Sequence, residues 1–175
     1  VWYSPDNFAE NGYEVPTTME GLLALTEKIV ADGGTPWCIG IESGGATGWP
    51  ATDWIEDLML RNFPPDVYDG WVTNEIAFND PRVVEVLTFF ADIVTDDEMV
   101  AGGNAAVAST HFGDAPLGMF TVPPQCFLHR QASFIASFFP QGTVAGEDYD
   151  FFYMPAYESK DLGSPILGSG NLATI

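Results

Sequence analysis

The chain has 175 residues, enough for one ordinary domain with its own core, and 46% of them are hydrophobic. Five basic side chains against 25 acidic ones leave a formal charge of −20. That balance excludes nucleic acid, whose phosphates need cationic partners, and disfavours anionic membrane surfaces and anionic substrates; a neutral, cationic or metal-bound ligand stays open. No apolar run is long enough to span a bilayer and no signal peptide is visible. The apolar start at Val1-Trp2-Tyr3 reads as a cut inside a longer protein. Cys38 and Cys126 leave two readings open, the disulfide of an exported protein or two buried thiols.

Thr17-Thr18-Met19-Glu20 has the form of a capping box, with Thr17 as the cap and Glu20 reaching back to it. Leu22, Leu25 and Ile29 follow at helical spacing and Gly33-Gly34 supplies a stop, which predicts a helix over 18–32. Pro36 to Ile41 is a short apolar run suited to a buried strand, and Glu42 to Gly48 is a glycine-rich loop. A second helix runs from Trp49-Pro50 through Asp53, Ile55, Leu58 and Met59 to the Pro64-Pro65 stop, and a short one covers Asp66 to Val72. Asn79-Asp80-Pro81 opens a further helix, with Val83, Leu87, Phe90 and Val94 on its buried face. Asp96-Asp97-Glu98 stand at the wrong end for the helix dipole and read as a solvated turn.

Beyond residue 102 the pattern weakens. Asn104 to Thr110 is a short helical candidate, Cys126-Phe127-Leu128 a strand, Gln131 to Phe139 a helix stopped by Pro140, and Asp148 to Pro155 a strand. Alternating strands and helices indicate an α/β fold.

Among residues that carry chemistry, the loop from Glu42 to Asp53 stands out. Gly44, Gly45 and Gly48 free the backbone to approach a ligand, and Trp49 at the loop's end can offer a flat apolar face. A pyranose has one C–H face and a rim of hydroxyls, so it suits an aromatic plane with carboxylates or amides around the edge. Glu42, Ser43 and Asp53 are available as rim partners. The competing reading makes Trp49 a core plug. No Lys follows the glycines at Walker spacing, and no dinucleotide fingerprint is present. Arg130 and Gln131 follow a predicted strand, where α/β folds gather ligands; Arg130 suits either vicinal hydroxyls or a structural ion pair. Cys126-x-x-His129 has ligand-like spacing for a metal, and Cys38 and His111 could complete a tetrahedral set, but no second tight pair supports it. A glycosidase needs only two well-spaced acids, but so many acids make any pair uninformative; no nucleophile elbow or zinc-protease helix is present.

The opening Trp2-Tyr3-Ser4-Pro5-Asp6-Asn7-Phe8, then Gly12 and Val15-Pro16-Thr17-Thr18-Met19-Glu20, resembles the passage between lobes in carbohydrate-binding proteins of bacterial ABC importers. Ser4 and Met19 depart from the usual Asn and Trp. Trp37 to Gly44, Gly48 to Trp54, Leu128 to Phe134 and Gly146 to Phe152 are similar to the α-glucoside-binding subgroup of these extracellular solute-binding proteins. The resemblance implies a lobe of the type II periplasmic-binding-protein kind, with helices around a small mixed sheet. Residues 1–175 would form the second, C-terminal lobe of an incomplete two-lobed protein, with hinge-crossing segments near 1–5 and 165–175. It implies a ligand site at Glu42, Ser43, Gly44, Thr47, Trp49, Asp53, Arg130, Gln131, Gly168, Gly170 and Asn171. The family's common Gly-x-Trp after the strand is replaced here by Arg130-Gln131. The implied partners are a neutral di- or oligosaccharide such as maltose or trehalose, the missing N-terminal lobe and the permease subunits of an ABC importer. No catalysis, cofactor or metal is implied. The implied location is periplasmic or extracellular, with a lipid anchor as one option for the full-length protein. A carbohydrate-active enzyme fragment is the alternative, and a structural or interaction domain a third.

Overall fold

The computed structural model describes residues 1–168. It is helix-rich around a three-stranded sheet. In chain order the elements are β1 (Trp2–Tyr3), α1 (Pro5–Asn11), α2 (Met19–Ala31), α3 (Trp49–Asn62), α4 (Pro65–Val72), α5 (Pro81–Val94), α6 (Asn104–Val107), β2 (Leu128–His129) and β3 (Asp150–Phe151). Two 3-10 turns, Ala115–Phe120 and Ser133–Phe138, flank β2. No helix among the described residues is long and apolar enough to cross a membrane.

The helices begin where local chemistry places them. Proline stands at the start of α1, α3, α4 and α5, where its missing N–H would have had no intrahelical partner. Ser4 and Asp80 cap α1 and α5 through their side chains. In α2 the cap is Thr18, one residue later than the sequence pattern indicates: its Oγ1 accepts from Gly21 N at 3.0 Å. The expected reciprocal arm is absent, because the Glu20 carboxylate accepts from Glu158 N instead, tying α2 to a distant segment. Gly48 caps α3 with φ 107°, a backbone state that L side chains rarely adopt.

The sheet is antiparallel, in the order β2-β1-β3. Trp2 pairs with His129 on one side and Phe151 on the other. Parallel pairing is confined to single bridges: Trp37 faces both Val100 and Leu128. The expected strand Pro36–Ile41 is therefore extended and central, hydrogen-bonded on both sides, but too brief in each register to form a ladder. The predicted helix over Gln131–Phe139 contracts to the 3-10 turn, and the predicted strand over Asp148–Pro155 to the two residues of β3.

Two clusters fill the interior. The larger joins Met19, Leu22 and Ile29 of α2, Trp54, Leu58 and Met59 of α3, and Val83, Val86 and Phe90 of α5 beneath Trp37. The smaller surrounds Trp2 with Cys38, Cys126, Met119, Ile135 and Phe139. Between them the backbone of Gly40 lies so close to residue 110 that a Cβ there would stand 2.5 Å from Thr110 O.

Cys38 and Cys126 form a disulfide with Cα atoms 5.4 Å apart, which resolves the two readings of the cysteines. It also removes both thiolates from the four-ligand metal set that the Cys126-x-x-His129 spacing raises. The bridge closes a loop across a separation of 88 residues. In the chain-entropy description such a closure stabilises by about 4–5 kcal/mol. The variant Cys38→Ala/Cys126→Ala should lose stability of that order in denaturant melts of the folded protein; a shift below about 1 kcal/mol would show that the bridge adds little constraint.

Candidate functional site

Helix α3 carries Asp53, Glu56, Asp57 and Arg61 at spacings of three and four residues, so all four project along one stripe. Opposite them lie the turn after β2, from Arg130 to Ser133, and the extended stretch containing Tyr153, Met154 and Ile166 to Gly168. Between these walls is a cleft of about 430 Å³.

Its floor is ionic. Asp57 is 8% exposed and is shared by two guanidiniums. Arg61, 2% exposed, places Nη2 2.9 Å from Oδ1. Arg130 approaches Oδ2 with both Nε and Nη2 at 3.3 Å. Arg61 also donates from Nε to Met154 O and from Nη1 to Pro165 O, and its guanidinium lies 4.7 Å from the centre of the Tyr153 ring. The far wall is thereby fastened to α3. Arg130 serves here as the structural partner of an acid and lines the cleft as well.

Asp53 stands nearer the opening, its Oδ2 3.9 Å from Arg130 Nη1. Partial burial raises its carboxyl above the usual range; Arg130 opposes that rise, and Glu56 and Asp57 add to it. Tyr68, from α4, donates its hydroxyl to Glu56 at 3.0 Å. Burial, reinforced by that bond, pushes the Tyr68 phenol up to about 12, so it remains neutral. The cleft therefore combines carboxylate acceptors, guanidinium donors and phenol rings in one concave surface.

Of the residues singled out from sequence, Asp53, Arg130, Gln131 and Gly168 line the cleft. The Gln131 side chain turns back to accept from Ala132 N, while its carbonyl accepts from Trp2 Nε1. Glu42, Ser43, Gly44 and Thr47 do not line it and instead hold one another. Glu42 Oε1 accepts from Gly44 N, and Thr47 Oγ1 accepts from Ser43 N and donates to Gly44 O. Trp49 is half-buried rather than a core plug. Its ring packs against Phe112 at 5.1 Å and Phe134 at 5.8 Å, and Phe134 directly follows the cleft residue Ser133. An aromatic shelf that includes the exposed Phe138 thus adjoins the cleft. Gly170 and Asn171 lie outside the described residues. Sequence reasoning missed Glu56, Asp57, Arg61, Tyr68 and Tyr153. The four-residue steps from Asp53 to Asp57 to Arg61 were the signal for the ionic stripe.

The architecture matches part of the fold of solved bacterial solute-binding proteins. It is similar to the bacterial solute receptor AcbH, described with an exclusive preference for b-D-galactopyranose. The TM-score is 0.74 at 26% identity, over 93% of this chain and 38% of that one. It is also similar in fold to a chitin oligosaccharide binding protein, with a TM-score of 0.71 at 18% identity, over 90% and 38% of the respective chains. The family model for bacterial extracellular solute-binding proteins matches residues 1–165, and the chain belongs to that family.

Among curated relatives, it is 64% identical to the alpha-glucosides-binding periplasmic protein AglE of Rhizobium meliloti (strain 1021), over 100% of this chain and 38% of that protein. It is 49% identical to the osmoprotective compounds-binding protein GgtB of Synechocystis sp., over 98% of this chain and 40% of that protein. The chain thus spans about two fifths of the length of these relatives.

Beside the cleft, His129 is fully enclosed. Its Nδ1 lies 2.7 Å from Cys38 O, so the neutral ring donates there, and Nε2 has no hydrogen-bond partner among the described residues. Burial lowers its pKa to about 4, against 6.5 in the unfolded chain. Below 6.5 the unfolded state binds a proton that the native state refuses. This contribution to stability is therefore complete above about pH 6.5 and is lost as the pH falls towards 4, a swing on the order of 3 kcal/mol. Denaturant melts at pH 7 and pH 4.5 should show wild type losing more stability than His129→Gln; equal losses would mean that His129 titrates normally.

Proposed function

We propose that this chain is the second lobe of a two-lobed receptor that captures a neutral α-glucoside, such as maltose or trehalose, and hands it to the permease of an ABC importer. The observation that carries this reading is the 64% identity to AglE along the full length of the chain. The cleft supports it chemically. Hydroxyls of a sugar can donate to Asp53 and accept from Arg130, and a C–H face suits the shelf formed by Trp49 and Phe134. The formal charge of −20 favours an uncharged solute over an anionic one. The Cys38–Cys126 disulfide suits an oxidising location outside the cytoplasm. A hinged partner lobe closes over the ligand in this reading, with residues 1–5 and 165–175 as the crossings and Glu42, Ser43, Gly44 and Thr47 forming the rim that meets it.

Calorimetric titration of the full-length protein with neutral disaccharides, and with osmoprotective compounds in the same panel, tests the proposal. At least one α-glucoside should bind with Kd about micromolar or tighter and be recovered intact. No heat across the panel, or hydrolysis of the sugar, would overturn it. In the same titration Trp49→Ala should weaken binding by about 1–3 kcal/mol, through lost ring contact and loss of support for Phe134. An unchanged affinity would leave Trp49 with a packing role alone.

A further inference from the structure

We infer that Arg61 is a positioning residue for the cleft: by occupying one oxygen of Asp57, it keeps Arg130 loosely held and able to turn its donors towards a bound saccharide. The ligand in this statement rests on the receptor reading above; the geometry does not.

Asp57 is a nearly buried carboxylate with two oxygens, and a guanidinium left alone with it would take both in a bidentate fork. Two guanidiniums compete here. Arg61 holds Oδ1 at 2.9 Å, and its remaining nitrogens are committed to the carbonyls of Met154 and Pro165. Arg130 is left with Oδ2 alone, and both of its contacts there are 3.3 Å, longer than the common N–H···O separation of about 2.9–3.0 Å. Its Nη1 stands 3.9 Å from Asp53 Oδ2 and has no hydrogen-bond acceptor among the described residues. Arg130 lines the cleft, so these unused N–H groups belong to its binding surface. Arg61 itself is 2% exposed and fixed from four sides, which suits a group that acts through another.

The test uses the full-length protein and begins without ligand. Arginine side-chain NMR reads rotation about the Nε–Cζ bond of Arg130. Rotation should be fast in wild type and slow in Arg61→Met, where Arg130 can take both Asp57 oxygens. Slow rotation in wild type, or equal rotation in both, overturns the inference. Arg61→Lys keeps a cation on Oδ1 and should leave Arg130 rotating fast, which provides a folded variant if Arg61→Met does not fold; a locked Arg130 in Arg61→Lys counts against the proposal. With the best-binding disaccharide, Arg61→Met should bind about tenfold more weakly and Arg61→Lys within about threefold of wild type. The double variant Arg61→Met/Arg130→Ala should bind no more weakly than Arg130→Ala, whereas additive losses would show that Arg61 does not act through Arg130. If wild type binds no saccharide, the receptor reading falls while the rotation measurement still decides the role of Arg61.

Discussion

The two residues of β1 hold together parts of the chain that are more than a hundred residues apart. Trp2 and Tyr3 pair with Leu128 and His129 on one side and with Asp150 and Phe151 on the other. β2 is also bridged to Trp37 on its far side, whereas β3 pairs within the sheet with β1 alone, so β1 is what joins the two outer strands. The indole of Trp2 extends the same constraint into side-chain chemistry, donating to Gln131 O while packing on Phe139 and Phe151. Cys38–Cys126 then clasps the extended segment at Trp37 against the approach to β2. These long-range ties deliver Arg130 opposite the acidic stripe of α3, and the cleft follows from that placement.

Electrostatically the cleft differs from the rest of the protein. Three arginines serve a chain with 25 acids, and two of them are spent on one carboxylate. Burying an ion pair costs desolvation, and removing one partner leaves the other charge stranded. A group of three shares that cost, and Arg61 adds two backbone carbonyls to its own satisfaction. The result is a buried, mutually satisfied ionic base, above which Asp53 and Glu56 line the cleft.

The helices were legible in the sequence because their signals are local. Pro81 after Asp80, the spacing of Leu22, Leu25 and Ile29, and the Pro64-Pro65 stop each act within a few residues. The strands were less so: β2 and β3 are two residues long and form through partners distant in the chain, which no periodicity of their own announces. Gln131 to Phe139 read as a helix stopped by Pro140, but it tightens to a 3-10 turn between the buried Gln131 and Phe139. In the cleft, Asp53 and Arg130 were found through their positions at element ends. Arg61 was missed because a lone basic residue near a helix terminus reads as solvated; only a tertiary partner shows that it is enclosed. The Glu42–Thr47 loop looked like a gripping edge because glycine suits close approach, yet its polar groups satisfy one another first.

The contact at Gly40 fixes the root of that loop. Its bare backbone rests against residue 110, and Glu42 is bridged to His111 just beyond. Neither anchor can slide outward without breaking the pairing on which the aromatic shelf stands. Any change of loop length at this side is therefore confined to the exposed tip, Gly44 to Thr47. The tip can lengthen or shorten like an interchangeable fitting while its socket keeps one shape.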